Sequence, residues 1–334
     1  MPSSTSSSDE RRPKGPWLRT WLLAVALAVI ALAGWEACWR AYGFRPSVPD
    51  ESAAWSIVRS QVGRGSVVSV GTSRIQTDLD PRAWADVWGG SVPRQLAIAG
   101  TSPLPVLEDL AADSTFAGLV LFDFIPVVVF EATGAWKATA REWLDDHRLR
   151  SRSPSRRIEA RLSTWVQSRL ALRNPALAPR TLLARLADGE LPRVPYWTLD
   201  RYRFERIDFT RTDTVRRAAA IARDVRREGR QATTAEMDAI FDRLETAVRA
   251  IQQRGGRVVF LLLPRSGVVR EAEEARCPRS ACWDAFVTRT SGLTLNTEDD
   301  AVMGTFVCPD GSHLDMRDAA AFTRRLAAAL LDEL

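Results

Sequence analysis

An apolar run from Trp21 to Trp35, flanked by Trp17 and Trp39, constrains this chain more than any other feature. Counted between the outer tryptophans it holds roughly 20 residues, the length of helix that spans a hydrocarbon core, with aromatic rings where the two interfaces would lie. In lipid, such a segment satisfies its backbone N–H and C=O groups only as a helix. Residues 17–39 are therefore predicted to be a transmembrane anchor, preceded by a Ser-rich, basic, disordered tail over 1–16. Arg11, Arg12, Lys14 and Arg19 outnumber Arg40 and Arg45, which places the amino terminus in the cytoplasm and residues 41–334 outside it. A competing reading is a cleaved signal peptide, because Ala31-Leu32-Ala33 fits a small-residue cleavage site. The continuation toward Trp39 and the paired tryptophans favour the anchor, and either reading exports the domain. A lipoprotein is disfavoured, since Trp35 and Glu36 stand where small residues are needed before Cys38.

With 334 residues, 46% of them hydrophobic, the chain can bury one substantial core. Its net charge of +5 comes almost wholly from arginines interspersed with acids, the pattern of solvated faces. No nucleic-acid motif accompanies them, and no nucleic-acid partner is expected. Only two histidines occur, His147 and His313, which excludes a His-rich metal site. The four cysteines show no C-x-x-C spacing, so neither a metal nor a cofactor is expected. Cys277 and Cys282 can close a small disulfide loop in an oxidising compartment, and Cys308 can pair with either; spacing does not choose.

Residues 40–64 read as a linker containing Pro46 and Pro49, followed by a helix from about Ser52 to Val62. Short apolar runs then predict strands over Ser66–Val70, Gln95–Ala99, Gly118–Phe122, Arg257–Leu263 and, more weakly, Leu293–Asn296. Thr233 and Glu236 form a capping box ahead of an amphipathic helix over 234–253, closed by Gly255. A last helix is expected over 316–331, with Asp315 and Asp318 at its positive end. Region 140–230 is arginine-rich and interrupted by prolines, and reads as a helical insertion in a domain spanning 65–334. Strands alternating with helices predict an α/β fold with a parallel sheet, whose ligand sites gather at the carboxyl ends of strands. Ser73, Gly100, Asp123, Arg265 and the segment holding Asp310 and His313 each follow a predicted strand.

Gly71-Thr72-Ser73-Arg74 resembles the first block of the SGNH/GDSL hydrolase superfamily, and Asp310-Gly311-Ser312-His313 resembles its D-x-x-H block. The resemblance covers residues 66–320 apart from the insertion, and implies a flavodoxin-like three-layer fold. It also implies a catalytic triad of Ser73, Asp310 and His313, in which His313 is the general base and Asp310 orients its ring. Gly100 matches the second block, so the backbone N–H groups of Ser73 and Gly100 would form the oxyanion hole. The third block departs from the family: Leu121-Phe122-Asp123-Phe124 stands where G-x-N-D is usual, removing an asparagine donor.

Arg74 and Arg265 are candidates for binding a carboxylate or phosphate substrate, with Asp123 beside them, whereas His147 reads as a surface residue. One span followed by an exported domain of this kind is similar to the membrane-anchored partners of membrane-bound O-acyltransferases. The implied function is an extracytoplasmic serine esterase or O-acyltransferase acting on an acyl ester of a cell-envelope glycan or lipid-linked polymer. The alternative is a non-catalytic envelope scaffold that binds polymer or such an acyltransferase.

Overall fold

A computed structural model describes residues 16–133, 138–227 and 229–333. The tail expected over 1–16, with Arg11, Arg12 and Lys14, lies outside the described residues except for Pro16. The apolar run forms one helix, α1 (Trp17–Tyr42), long and apolar enough to cross a membrane. It runs three residues past the predicted 39 and stops at Gly43, whose left-handed φ of 116° lets its N–H return to the carbonyls of Trp39 and Arg40.

Next come α2 (Ser52–Arg59), β1 (Val67–Val70), α3 (Ser73–Asp78), α4 (Pro81–Val87), β2 (Arg94–Gln95), α5 (Leu104–Ala112) and β3 (Leu119–Asp123). A long connection holds α6 (Pro126–Val129), α7 (Ala138–Ser151), α8 (Pro154–Gln167) and α9 (Pro179–Ala187). It continues through the hairpin of β4 (Trp197–Leu199) and β5 (Glu205–Ile207), α10 (Thr214–Arg227) and α11 (Thr234–Gln252). Then follow β6 (Arg257–Leu262), α12 (Gly267–Arg276), α13 (Ala285–Val287), β7 (Leu293–Asn296) and α14 (Ala319–Glu333).

Five strands form a parallel sheet in the order β2-β1-β3-β6-β7. The order reverses between β1 and β3, the place where doubly wound sheets leave a crevice at their carboxyl ends. Successive strand residues face opposite sides: Val68, Val70, Val120, Phe122, Val258 and Phe260 face one core, Val67, Leu119, Leu121, Val259 and Leu261 the other. Burial on both faces explains why the strands read as continuous apolar runs. Trp55, Leu107 and Leu244, from α2, α5 and α11, cover the first face; Ile75, Trp84 and Phe322, from α3, α4 and α14, cover the second.

Other predicted boundaries move as well. The second strand is two residues long, not five, although its ladder continues through the Leu96 and Ile98 N–H groups to Ser69 and Gly71. Arg203 of the β4–β5 hairpin covers this edge, donating to the carbonyls of Gln95 and Ala97 and pairing with Asp50. The helix predicted to reach Val62 ends at Arg59, whose side chain pairs with Asp109 and Asp113. The last helix starts at Ala319 because Asp315 holds the preceding turn, accepting from the Phe209 and Arg317 N–H groups. The capping box of Thr233 and Glu236 is present. Cys277 and Cys282 form a disulfide, leaving Cys308 a buried free thiol.

Candidate active site

After β1 the chain turns through Gly71 and Thr72, so that Ser73 opens α3 at the carboxyl end of the sheet. The turn requires glycine: a Cβ at position 71 would lie 2.5 Å from Asp123 Cβ and from Ile75 Cγ2. Thr72 caps α3, its hydroxyl oxygen accepting from the Arg74 N–H at 3.4 Å.

Opposite Ser73 stands the loop before α14. Asp310 shapes it with one carboxylate oxygen, Oδ1, which accepts from the Ser312 and His313 N–H groups at 3.1 and 2.9 Å. The other, Oδ2, lies 3.0 Å from His313 Nδ1, and His313 Nε2 lies 2.9 Å from Ser73 Oγ. With Asp310 ionised, Nδ1–H donates to it, which leaves Nε2 to accept the serine proton. Three-residue spacing therefore lets one carboxylate both fold the loop and aim the ring.

Electrostatics keep Asp310 ionised. Burial works against ionising Asp310, but the charge and hydrogen bond of His313, the Ser312 N–H and Arg217 outweigh it and hold the carboxyl well below its usual range. Burial likewise opposes charging His313, yet Asp310, with Asp78 and Glu205 farther off, raises its pKa above that of a free imidazole. Asp78 is fully buried; its Oδ1 accepts from the Leu314 N–H at 2.8 Å, and burial pushes its pKa up to about 8.

Ser73, Gly100 and His313 line one cleft of about 390 Å³. Ile125, Val127, Val128, Ile221 and Val225 give it an apolar wall, and Asp224 and Arg276 add charge. Gly100 adopts a φ of 64° there. Among the described residues, the backbone N–H groups of Ser73 and Gly100 make no hydrogen bond.

Of the three residues expected to bind substrate, Arg74 lines this cleft, whereas Arg265 and Asp123 do not. Arg74 is 1% exposed; it pairs with Glu273 at 2.7 Å and donates to the Ser312 carbonyl and hydroxyl at 3.2 and 3.1 Å. It ties the serine turn to the histidine loop at the base of the cleft, with its Nη1 making no hydrogen bond among the described residues. Arg265, also buried, is held by Glu273, Glu274 and Glu298. Asp123 lies beneath the turn, accepting weakly from the Thr72 N–H and hydroxyl at 3.4 and 3.5 Å. Burial raises its pKa to about 6, against the pull of Arg74. It therefore supports the turn and does not line the cleft. His147 is half-buried rather than on the surface, with Nδ1 2.8 Å from Ser56 Oγ and its ring edge-on to Trp55.

Two contributors carried no signal in the sequence. Arg217 of α10 reaches Asp310 Oδ2, and Glu273 of α12 joins Arg74 to Arg265. Arg217 is one arginine among many in its region, and its partner lies 93 residues away. No group of His, Cys, Asp and Glu among the described residues is arranged to hold a metal ion. No family model and no curated protein matches the chain.

Proposed function

We propose that the domain is a serine esterase or O-acyltransferase of the SGNH/GDSL type, anchored by α1 at the outer face of a membrane. The observation that carries this reading is the unbroken relay from Ser73 Oγ through His313 to Asp310, set at the switch point of the sheet. The apolar wall beside Ser73 suits an acyl group. The 2-1-3-4-5 sheet order, with the serine after the first strand and the Asp–His loop before the last helix, fits the resemblance noted in the sequence.

In the proposed reaction His313 Nε2 takes the Ser73 proton as Oγ attacks an ester carbonyl. Asp310 stabilises the imidazolium. The Ser73 and Gly100 N–H groups face the developing oxyanion, each donor contributing on the order of 3 kcal/mol. His313 then returns the proton to the leaving alcohol, and the acyl group stays on Ser73. Water resolves the acyl-enzyme to an acid, or a sugar hydroxyl of an envelope polymer takes the acyl group. A membrane-bound O-acyltransferase is the corresponding partner.

A second reading, a non-catalytic scaffold, rests on the third block: Asp123 is turned away and no side-chain amide replaces the missing donor in the cleft. A fluorophosphonate probe separates the two. Covalent labelling that disappears in Ser73→Ala supports the enzyme; an unlabelled, folded domain that still binds polymer supports the scaffold.

A further inference from the structure

Among the described residues, exposed leucine, isoleucine and tryptophan side chains outside α1 are confined to 149–191, apart from Leu331. On α8 they form a stripe. Ile158, Leu162 and Trp165 recur at helical spacing and are 58–59% exposed, while Ala160 and Gln167 on the opposite side are buried. Leu183 and Leu186 repeat the pattern on α9, which buries no residue. A surface helix normally turns such a stripe inward.

This region is fixed to the end of α1. Glu36 accepts from the Ala171 and Leu172 N–H groups at 2.8 and 2.9 Å, and Arg40 donates to the Arg169 carbonyl at 2.6 Å. Trp39 packs with Ala171 and Leu177. From Trp17 to Trp35 the helix rises about 27 Å, close to the roughly 30 Å thickness of a hydrocarbon core, so Glu36 falls at the interface. The segment joining α8 to α9 is therefore held at headgroup depth. Its charge fits that position: residues 149–193 carry ten arginines and three acids, a surplus of seven in a chain whose net charge is +5. Arg157, Arg161 and Arg180 form no ion pair among the described residues.

We propose that α8 and α9 lie in the membrane interface, their apolar faces in the acyl boundary and their arginines on anionic lipid headgroups, so that the domain is pinned against the bilayer. The proposal rests on α1 being the anchor.

The test uses the full chain with Cys38→Ser, in phosphatidylcholine vesicles with and without phosphatidylglycerol. Spin labels go at Leu27→Cys, Leu162→Cys, Leu183→Cys and, outside the region, Val302→Cys; their access to oxygen and to a water-soluble nickel chelate is compared. With phosphatidylglycerol, labels at 162 and 183 are expected to be shielded from nickel as at 27, while 302 stays open. Arg157→Gln with Arg161→Gln and Arg180→Gln should reduce that shielding. Water-like access at 162 and 183, with 27 in lipid, overturns the proposal and leaves the anchor standing. Shielding seen in a third arm of native membranes but in neither vesicle mixture also overturns it, assigning the face to a protein. Equal shielding in both lipid mixtures overturns the role of the arginines. Water-like access at 27 removes the anchor itself.

Discussion

Arg217 Nη2 and Nε donate to Asp310 Oδ2, at 3.0 and 3.3 Å, the same oxygen that faces His313 Nδ1. The guanidinium and the imidazole thus share one carboxylate oxygen. Arg217 keeps Asp310 ionised while competing for the charge that would stabilise a protonated His313. Arg217→Gln is expected to raise the pKa of His313, moving the acid limb of a kcat/KM profile upward. Loss of activity should be larger at low pH than on the alkaline plateau. A profile that drops uniformly would assign Arg217 a role in packing only.

In the unaltered protein the acid limb should already lie above about 6.5, the free imidazole value, because Asp310 raises the pKa of His313. The base works only when neutral, so activity rises with pH through that value. The linked stability has the opposite sign. A raised histidine pKa stabilises the fold below the unfolded value, and that contribution fades as pH climbs through the folded one.

Ser73→Ala and His313→Ala should each abolish turnover, and the double variant should be little worse, since the members act as a unit. Asp310→Asn keeps the Oδ1 acceptor that holds the Ser312 and His313 N–H groups, so the loop should survive. The amide –NH2 that replaces Oδ2 cannot accept from Nδ1–H, and the rate should fall by a factor on the order of 10⁴. Near-normal turnover by folded Ser73→Ala would remove the hydrolase mechanism.

Asp78 has a stability signature. With its pKa at about 8, the native state holds a proton that the unfolded chain releases near pH 4, so stability declines as pH rises between those values. Asp78→Asn retains an acceptor for the Leu314 N–H and removes the titration. Denaturant midpoints should show the variant matching the parent below pH 4 and exceeding it above pH 8. A parallel pair of curves would contradict the assignment.

Breaking the buried pair at Arg74 should be costly. Arg74→Ala leaves Glu273 with Arg265 alone and frees the Ser312 carbonyl, a loss of about 3–5 kcal/mol by chemical denaturation. Turnover and stability should fall together, unlike in Ser73→Ala. A stable but inactive variant would return Arg74 to the role of substrate ligand.

Export can be read from chemistry and from topology. Peptide mapping of protein taken from its native compartment without reduction should recover Cys277 joined to Cys282. A carboxyl-terminal reporter should be active only outside the cytoplasm. Free thiols with cytoplasmic reporter activity would overturn the topology.

Local pattern was enough for several features. The tryptophan-flanked run specified α1 because an apolar segment of that length has only helix open to it in lipid. Apolar runs ending in Gly71 and Pro264 marked β1 and β6, and Thr233 with Glu236 marked the start of α11, because caps and breakers act within a few residues. Asp310 and His313 were picked out through the resemblance to the D-x-x-H block, and their three-residue spacing in one loop is what lets a single carboxylate hold both the loop and the ring. What a side chain meets across the fold was not legible. Arg265 and Asp123 follow strands as a ligand-binding residue would, and only the arrival of Glu298 and Thr72 from other elements turned them inward, while Arg74 lines the cleft but is paired by Glu273. Arg217 was indistinguishable from its neighbours until α10 packed beside the Asp310 loop. Such partners lie up to about 200 residues apart in sequence, and no local propensity records them; the tertiary structure decides them because a buried charge must find its counter-charge wherever folding brings one within reach.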